Sequence, residues 1–468
     1  MRFANLIIQC LDCWNWLWDR SVVLDQDEDN KKASPSTRTC SISITSLVSE
    51  NEFEGEFKWH SFIHGAHGCM YGIPRDARHV VKFDPVDKSI TEIGQDLGIE
   101  EWKWRRGVLA KSNHCIYCPP YSSTQILKID TINGTTELLD IDLPLGRGRW
   151  ISGALAHDGC IYFMPFNGRR ILKLNPENDS VCSVGSDLGP RLCKFAGTVL
   201  GNGNDGCLYG IPFESRCIIK FDPISETIST IGGTEDRSLA CDNGALGSDG
   251  NIYALSHRHR KVLKIDVVKK KYFLIGDFIQ SSHRFDGWGD AVVGSDRCIY
   301  WPPFNANRTV QFDILTQSVS LVGDDFGNKY FKWWGGALSP GDGAIYCIPS
   351  SAKQVLSIDP LKEFSMNLKA SMEEHPEKLG FLFKMKKGAT ACDSAIARYG
   401  KERVFRVIGD CIPEKKILEQ MNLYPFMVAA SCRNSTVAVI YHLLRRNPEV
   451  AHHIHVHVAV SNDYSKNR

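Results

Sequence analysis

The sequence predicts a mainly β protein in which seven four-stranded antiparallel sheets close into a ring, with a small all-α domain after it. Three observations predict this. A tyrosine recurs at Tyr71, Tyr117, Tyr162, Tyr209, Tyr253, Tyr300 and Tyr346, in steps of 46, 45, 47, 44, 47 and 46 residues. Around each tyrosine stand four short strand-like stretches, and a strand-only unit repeated at this period marks a β-propeller blade rather than a helical solenoid. The joints between stretches are turn dipeptides. Asp158-Gly159, Asp205-Gly206, Asp249-Gly250 and Asp342-Gly343 supply the positive backbone angles of tight hairpins. Asp84-Pro85, Asn175-Pro176, Asp222-Pro223 and Asp359-Pro360 suit Asx-type turns.

Taken in order, residues 1–40 form a leader and linker. The run FANLIIQCLDCWNWLW within residues 1–24 is broken by Gln9, Asp12 and Asn15, lacks a small-residue cleavage site, and is too short to span a bilayer. Leu6, Cys10, Trp14 and Leu17 fall near helical spacing, which allows a helix lying on a membrane. With few basic residues, a helix packed on the body or a plain leader is the reading taken. Asp25 to Thr37 is a polar linker.

The propeller is expected over residues 41–369. The first stretch of each blade is Gly-Ala-Leu-like, as at Gly107, Gly153, Gly244 and Gly336. The second centres on Ile-Tyr and is apolar on both faces, as befits a strand between two other sheets. The third reads VVKFD, ILKID, ILKLN, IIKFD, VLKID, VQFD and VLSID, and the fourth is short and often ends in glycine. Ser41 to Leu47 looks like a fourth strand without its own first three. It is expected to pair with the blade of Tyr346 and shut the ring, which removes exposed sheet edges. Phe364 to Leu368 competes for that place.

The 468-residue chain is 43% apolar and 23% charged, ordinary for a globular protein, and its net charge of +1 gives a nucleic-acid partner no support. Seventeen cysteines, an odd count without paired spacing, point to reduced thiols and a cytoplasmic location. Cys69, Cys115, Cys160, Cys207 and Cys298 each stand two residues before a repeat tyrosine, as small core residues do. Neither a cofactor nor a metal is expected, and the chain is expected to be monomeric.

The repeat pattern, G-x-DG-x-IY followed by I-x-x-(I/L)-D, resembles seven-bladed propellers of the NHL, regucalcin/gluconolactonase and virginiamycin-lyase class, over residues 41–369. The resemblance implies the fold and leaves the activity open, since this architecture hosts enzymes and binders alike. It raises one enzymatic alternative, a metal-dependent, lactonase-like hydrolase. Lactonases of this class hold a divalent cation at the channel mouth with Glu, Asn and Asp, and Asp242, Asn243 and Asp290 supply part of that set without a matching Glu. A virginiamycin-type lyase would need a His with a Glu, and His60 and His257 are the nearby repeat-breaking histidines, neither pairable with a carboxylate in sequence.

From residue 376 to 460 the pattern turns helical. Tyr424 to Ala430, Val437 to Leu444 and Asn447-Pro448 resemble an ankyrin repeat, with Tyr in place of its first Thr and Met in place of its His; Ala389 to Ile412 is a more degenerate copy. Two copies fall below the three usually needed to stand alone, so docking on the propeller is expected. His452, His453, His455 and His457 read as a solvated chain end rather than a metal site, with no Cys or Asp to complete a set.

The best chemical candidate is a basic-aromatic pair before the first strand: Lys58-Trp59, Lys103-Trp104, Arg149-Trp150, Lys194-Phe195 and Lys332-Trp333, with Gly287-Trp288 in one blade. Blade geometry puts these pairs, and the loops with Pro120-Tyr121, Pro165-Phe166, Pro212-Phe213 and Pro303-Phe304, around one mouth of the central channel. The recurring tryptophans read first as wedges between blades. Function must break the repeat, so residues that differ between blades are better candidates. The expected binding set is His60, Lys103, Arg105, Arg106, Arg149, Trp150, Asp242, Asn243, Trp288, Asp290, Lys332 and Trp333. It fits a protein or peptide partner, and the function expected is an intracellular scaffold or adaptor that uses this mouth and the helical domain.

Overall fold

The computed structural model describes residues 44–48, 52–140, 147–202, 205–233, 239–279, 287–362, 365, 391–400, 403, 404 and 407. Its body is seven four-stranded sheets, each an antiparallel meander. First strands of neighbouring blades touch around the channel, and Trp59–His64 of blade 1 touches Trp333–Leu338 of blade 7, so the row is a closed ring. This is a seven-bladed β-propeller.

The ring is shut by the N-terminal part of the chain. Thr45–Leu47 is the outer strand of blade 7 and pairs antiparallel with Leu356–Ile358, Thr45 opposite Ile358 and Leu47 opposite Leu356. Of the two competitors for this place, the earlier segment takes it, and Lys362 and Ser365 lie in helical backbone. Thr45 is buried; its Oγ1 donates to Asp324 Oδ2 (3.1 Å) and accepts from the Asp324 N–H (2.7 Å), so the closing strand also bonds blade 6.

Second strands such as Met70–Pro74, Ile161–Pro165 and Ile345–Pro349 are buried along their whole length, as their two-faced apolar pattern requires. Cores form between blades: Tyr209 and Ile211 pack with Ile252 and Leu263 of the next blade. Each recurring tryptophan is a wedge with its indole N–H bonded to a backbone carbonyl at the start of its own blade's third strand: Trp59 to His79, Trp104 to Gln125, Trp150 to Arg170, Trp288 to Arg308 and Trp333 to Gln354, all within 2.8–3.0 Å.

The expected all-α ankyrin-like domain over 376–460 is not shown. Among the described residues that region holds one full helix, α1 (Ala391–Tyr399). Tyr424 to Ala430, Val437 to Leu444, the histidine tail and the leader at 1–40 lie outside the described residues. Among the described residues no helix is long and apolar enough to cross a membrane.

Ring closure should be measurable at Thr45. Thr45→Val keeps the shape, removes both bonds to Asp324, and should lower unfolding free energy by about 1–3 kcal/mol, read as a lower denaturant midpoint with an unchanged slope.

Candidate functional site

One pairing recurs at the top of every blade and defines the mouth. Trp59 pairs with Pro74, Trp104 with Pro120, Trp150 with Pro165, Phe195 with Pro212, Cys241 with Ser256, Trp288 with Pro303 and Trp333 with Pro349. Just below it, five first strands carry a bulge of one extra residue, the device that re-aims side chains beside a site. In blades 2 and 6 the ladder is interrupted before resuming at Val108–Leu109 and Val292–Val293. The interrupted stretches carry Arg105-Arg106 and Gly289-Asp290.

Those two stretches meet across the channel. Arg106 grips Asp290 with two parallel hydrogen bonds, Nε to Oδ2 at 2.7 Å and Nη2 to Oδ1, while Nη1 donates to the Ala196 carbonyl of blade 4 at 2.9 Å. Both side chains are buried. Burial opposes the Arg106 charge, but the Asp290 carboxylate outweighs it and holds the Arg106 pKa above its ordinary value. Gly289 makes the meeting possible: a Cβ there would lie 1.7 Å from the Trp334 carbonyl oxygen, and the adjacent Asp290 N–H donates to that carbonyl at 2.7 Å.

Beside this tie, Arg105 Nε donates to His60 Nε2 at 2.9 Å. Arginine is donor-only, so His60 accepts at Nε2 and carries its proton at Nδ1. That buried Nδ1 has no hydrogen-bond partner. Burial first, then the Arg105 charge, holds the His60 pKa well below its usual value, so the ring is neutral. Trp334 covers both, with its ring centroid 4.3 Å from the His60 ring and 4.6 Å from the Arg105 guanidinium. Burial, then the neighbouring Arg106, lowers the Arg105 pKa.

Arg75, in the loop after Pro74, is the residue that sequence reasoning missed. Its guanidinium is clamped between the Trp102 ring (3.3 Å) and the Phe57 ring (4.0 Å). It is 1% exposed, and Nε and Nη1 make no hydrogen bond; its acidic neighbour Asp76 lies 3.5 Å away. Burial lowers the Arg75 pKa to about 9 and raises that of Asp76. A signal for Arg75 was present: the residue after the paired position reads Arg75, Tyr121, Phe166, Phe213, His257, Phe304 and Ser350, so Arg75, His257 and Ser350 break a Phe/Tyr series.

The other expected residues are placed as follows. Lys103 and Lys332 are buried, and each Nζ donates to the carbonyl three residues back, Glu100 (2.8 Å) and Lys329 (2.5 Å), as Lys58 and Lys194 do to Gly55 and Arg191. These lysines cap the loops that enter each blade, and burial pulls Lys58, Lys194 and Lys332 down to about 8. Trp150, Trp288 and Trp333 are the interblade wedges described above. The half-buried Arg149 lies 5.7 Å over the Trp150 ring. Asp242 faces the buried His257 at 3.6 Å, a carboxylate partner that the sequence did not reveal. Burial opposes the Asp242 charge, yet His257, Arg105 and Arg106 outweigh it and keep it below the usual carboxylate value. Asn243 Oδ1 has no partner. Among the described residues no group of three or more His, Cys, Asp or Glu is placed to hold a metal ion.

No family model matches the sequence, nor does any curated protein. Solved structures do. A streptogramin B lyase is similar over 67% of this chain and 98% of its own, at TM-score 0.56 and 16% identity. A catalytically inactive virginiamycin B lyase from Staphylococcus aureus, solved with quinupristin, is similar over the same shares at 0.55 and 13%. The WD40 propeller domain of Doa1 is similar over 68% and 98% at 0.51 and 11%. At these identities the likeness establishes the propeller fold alone.

Two outcomes test this geometry. Arg106→Ala leaves Asp290 buried without its cation and should cost about 3–5 kcal/mol, whereas Arg106→Met with Asp290→Leu should cost clearly less; chemical denaturation compares them. For His60 the folded pKa lies below the unfolded one, so the unfolded chain takes the proton first. Stability therefore falls as pH drops below about 6.5, by up to about 1.4 kcal/mol per unit for one such group, until the folded pKa is reached. In His60→Gln the difference in stability between pH 7 and pH 5 should shrink by that contribution.

Proposed function

We propose that this protein is a binding module, a scaffold or adaptor whose channel mouth takes an acidic segment of a partner protein. The observation that carries the reading is Arg75: a buried guanidinium held flat between two rings, with donors at Nε and Nη1 that make no hydrogen bond. A carboxylate offers the charged acceptor that the Nε–H suits, while Nη1 faces Asp76 at 3.5 Å. Trp102 and Tyr121, half-buried with ring centroids 5.6 Å apart, stand beside it as aromatic anchors. Within the expected set, Arg105 and Arg149 remain part of this mouth, while the capping lysines and wedge tryptophans support its walls.

The hydrolase alternative draws no support from the carboxylates it needs. Asp290 is engaged by Arg106 and Asp242 faces His257, so neither presents a free oxygen edge toward a shared ion. Eleven cysteines of the propeller are free thiols, which supports a reducing compartment and a cytoplasmic location.

The test is capture from lysate of the source cells by immobilised full-length protein, with mass-spectrometric identification. Arg75→Gln and Tyr121→Ser should each weaken capture of the main partner by about tenfold or more, since anchor residues at interface centres dominate affinity. A synthetic peptide of the captured acidic segment should bind, and its Asp/Glu-to-Asn/Gln version should not. Partner recovery unchanged in both folded variants overturns the mouth as the binding surface.

A further inference from the structure

On the face opposite the mouth, the repeat tyrosine of blades 2 to 7 meets an acid and a cation, and these blades complete the trio by different routes; in blade 1 Tyr71 donates instead to the Thr131 carbonyl at 2.8 Å. In blades 3, 4 and 5 all three groups are local. Tyr162 donates to Asp158 (2.7 Å), Tyr209 to Asp205 (2.6 Å) and Tyr253 to Asp249 (2.8 Å), with Lys173, Lys220 and Lys264 within 4.0, 3.1 and 3.5 Å of those carboxylates. Each lysine lies directly across the ladder from its tyrosine. Blade 2 has Asn113 in its turn and takes Asp179 from blade 3 (2.6 Å from the Tyr117 hydroxyl) beside its own Lys128. Blade 7 has Ser357 across from Tyr346, and Lys88 of blade 1 serves Asp342 at 3.2 Å.

Blade 6 departs from all of these. Gln311 lies across from Tyr300 and donates to it (2.7 Å) and to Asp296 (3.3 Å), but it brings no charge. The cation at Asp296 comes from outside the propeller: Arg398 Nη2 of α1 lies 3.8 Å from Asp296 Oδ2 and 3.9 Å from Cys298 Sγ. The Asp296 side chain is 2% exposed, whereas those of Asp158, Asp205, Asp249 and Asp342 are 30, 20, 32 and 42% exposed. Ala395 and Val404 are buried, and Arg403 lies against the blade 7 turn, where a Cβ on Gly343 would come 2.9 Å from its Nε.

We propose that the back face of blade 6 is the docking site for this chain's own C-terminal segment, with Arg398 as the key that fits because Gln311 replaced the lysine. A carboxylate buried without a cation is costly, and an arginine from another segment removes that cost only while it stays docked. α1 is thereby held on the side of the ring away from the mouth. This does not depend on what the mouth binds.

Hydrogen exchange on the full-length chain tests it, read at the amides of Ala391–Tyr399 with the second-strand amides as an internal control of folding. Arg398→Glu should speed exchange of α1 by about tenfold or more. Gln311→Lys gives blade 6 its own cation and should speed it in the same direction, and Arg398→Lys should retain most of the protection. Exchange of α1 within twofold of wild type in both Arg398→Glu and Gln311→Lys, with the propeller protected, overturns the proposal.

Discussion

A four-stranded blade is stable here only because it has a neighbour on each side, and that holds for every blade only if the ring is shut. The second strands are buried on both faces by adjacent sheets, so an open row would expose two such faces and two edges. The closing bond is therefore the pairing of Thr45–Leu47 with Leu356–Ile358, which joins parts of the chain some three hundred residues apart in sequence. Its hydroxyl bonds to Asp324 carry the closure from blade 7 into blade 6. The tryptophan wedges and lysine caps do the same work locally, fixing each blade to the loop that enters it.

This constraint explains what the sequence made legible. Residues demanded by blade packing recur with the blade, and the tyrosine spacing, the Asp-Gly turns and the stray strand at Ser41 to Leu47 led to the ring and to its closure. The same logic separates the candidate residues. Trp150, Trp288, Trp333, Lys103 and Lys332 recur, and each is bound to backbone carbonyls. His60, Arg105, Arg106, Asp242 and Asp290 break the repeat, and they converge in the channel. Pairings across the ring were not legible: Arg106 and Asp290 are 184 residues apart, and nothing local links them. The Asp242–His257 pair was missed because it joins a bulged first strand to a loop of the same blade, a contact set by the bulge rather than by spacing. The helical pattern after residue 376 has its best motif at Tyr424 to Ala430, outside the described residues, and α1 is what stands for it.

The Arg106 tie decides what the channel can be. One guanidinium bonds residues of blades 4 and 6 from its place on blade 2, so the hub is crossed by a buried, doubly bonded ion pair. Taking these charges from water is expensive, and the paired geometry offsets that only while both partners remain. The consequence is rigidity at the centre, with both Asp290 oxygens engaged by Arg106.

Arg75 extends that reasoning to recognition. Its desolvation was borne during folding and outweighs the neighbouring Asp76 charge, which leaves the Arg75 pKa lowered. On the proposed reading, a carboxylate arriving at such a group would meet a donor already oriented and already stripped of water. Its gain is then the charge-assisted hydrogen bond itself, on the order of 1.5–3 kcal/mol, with little further ordering of the protein to set against it. An exposed surface arginine would first have to surrender its hydration and its rotamers. The same accounting applies on the back face, where Asp296 is the buried charge and Arg398 the arriving partner. On the two proposals, both faces would use one principle, a buried ion at a break in the repeat, to select what docks there.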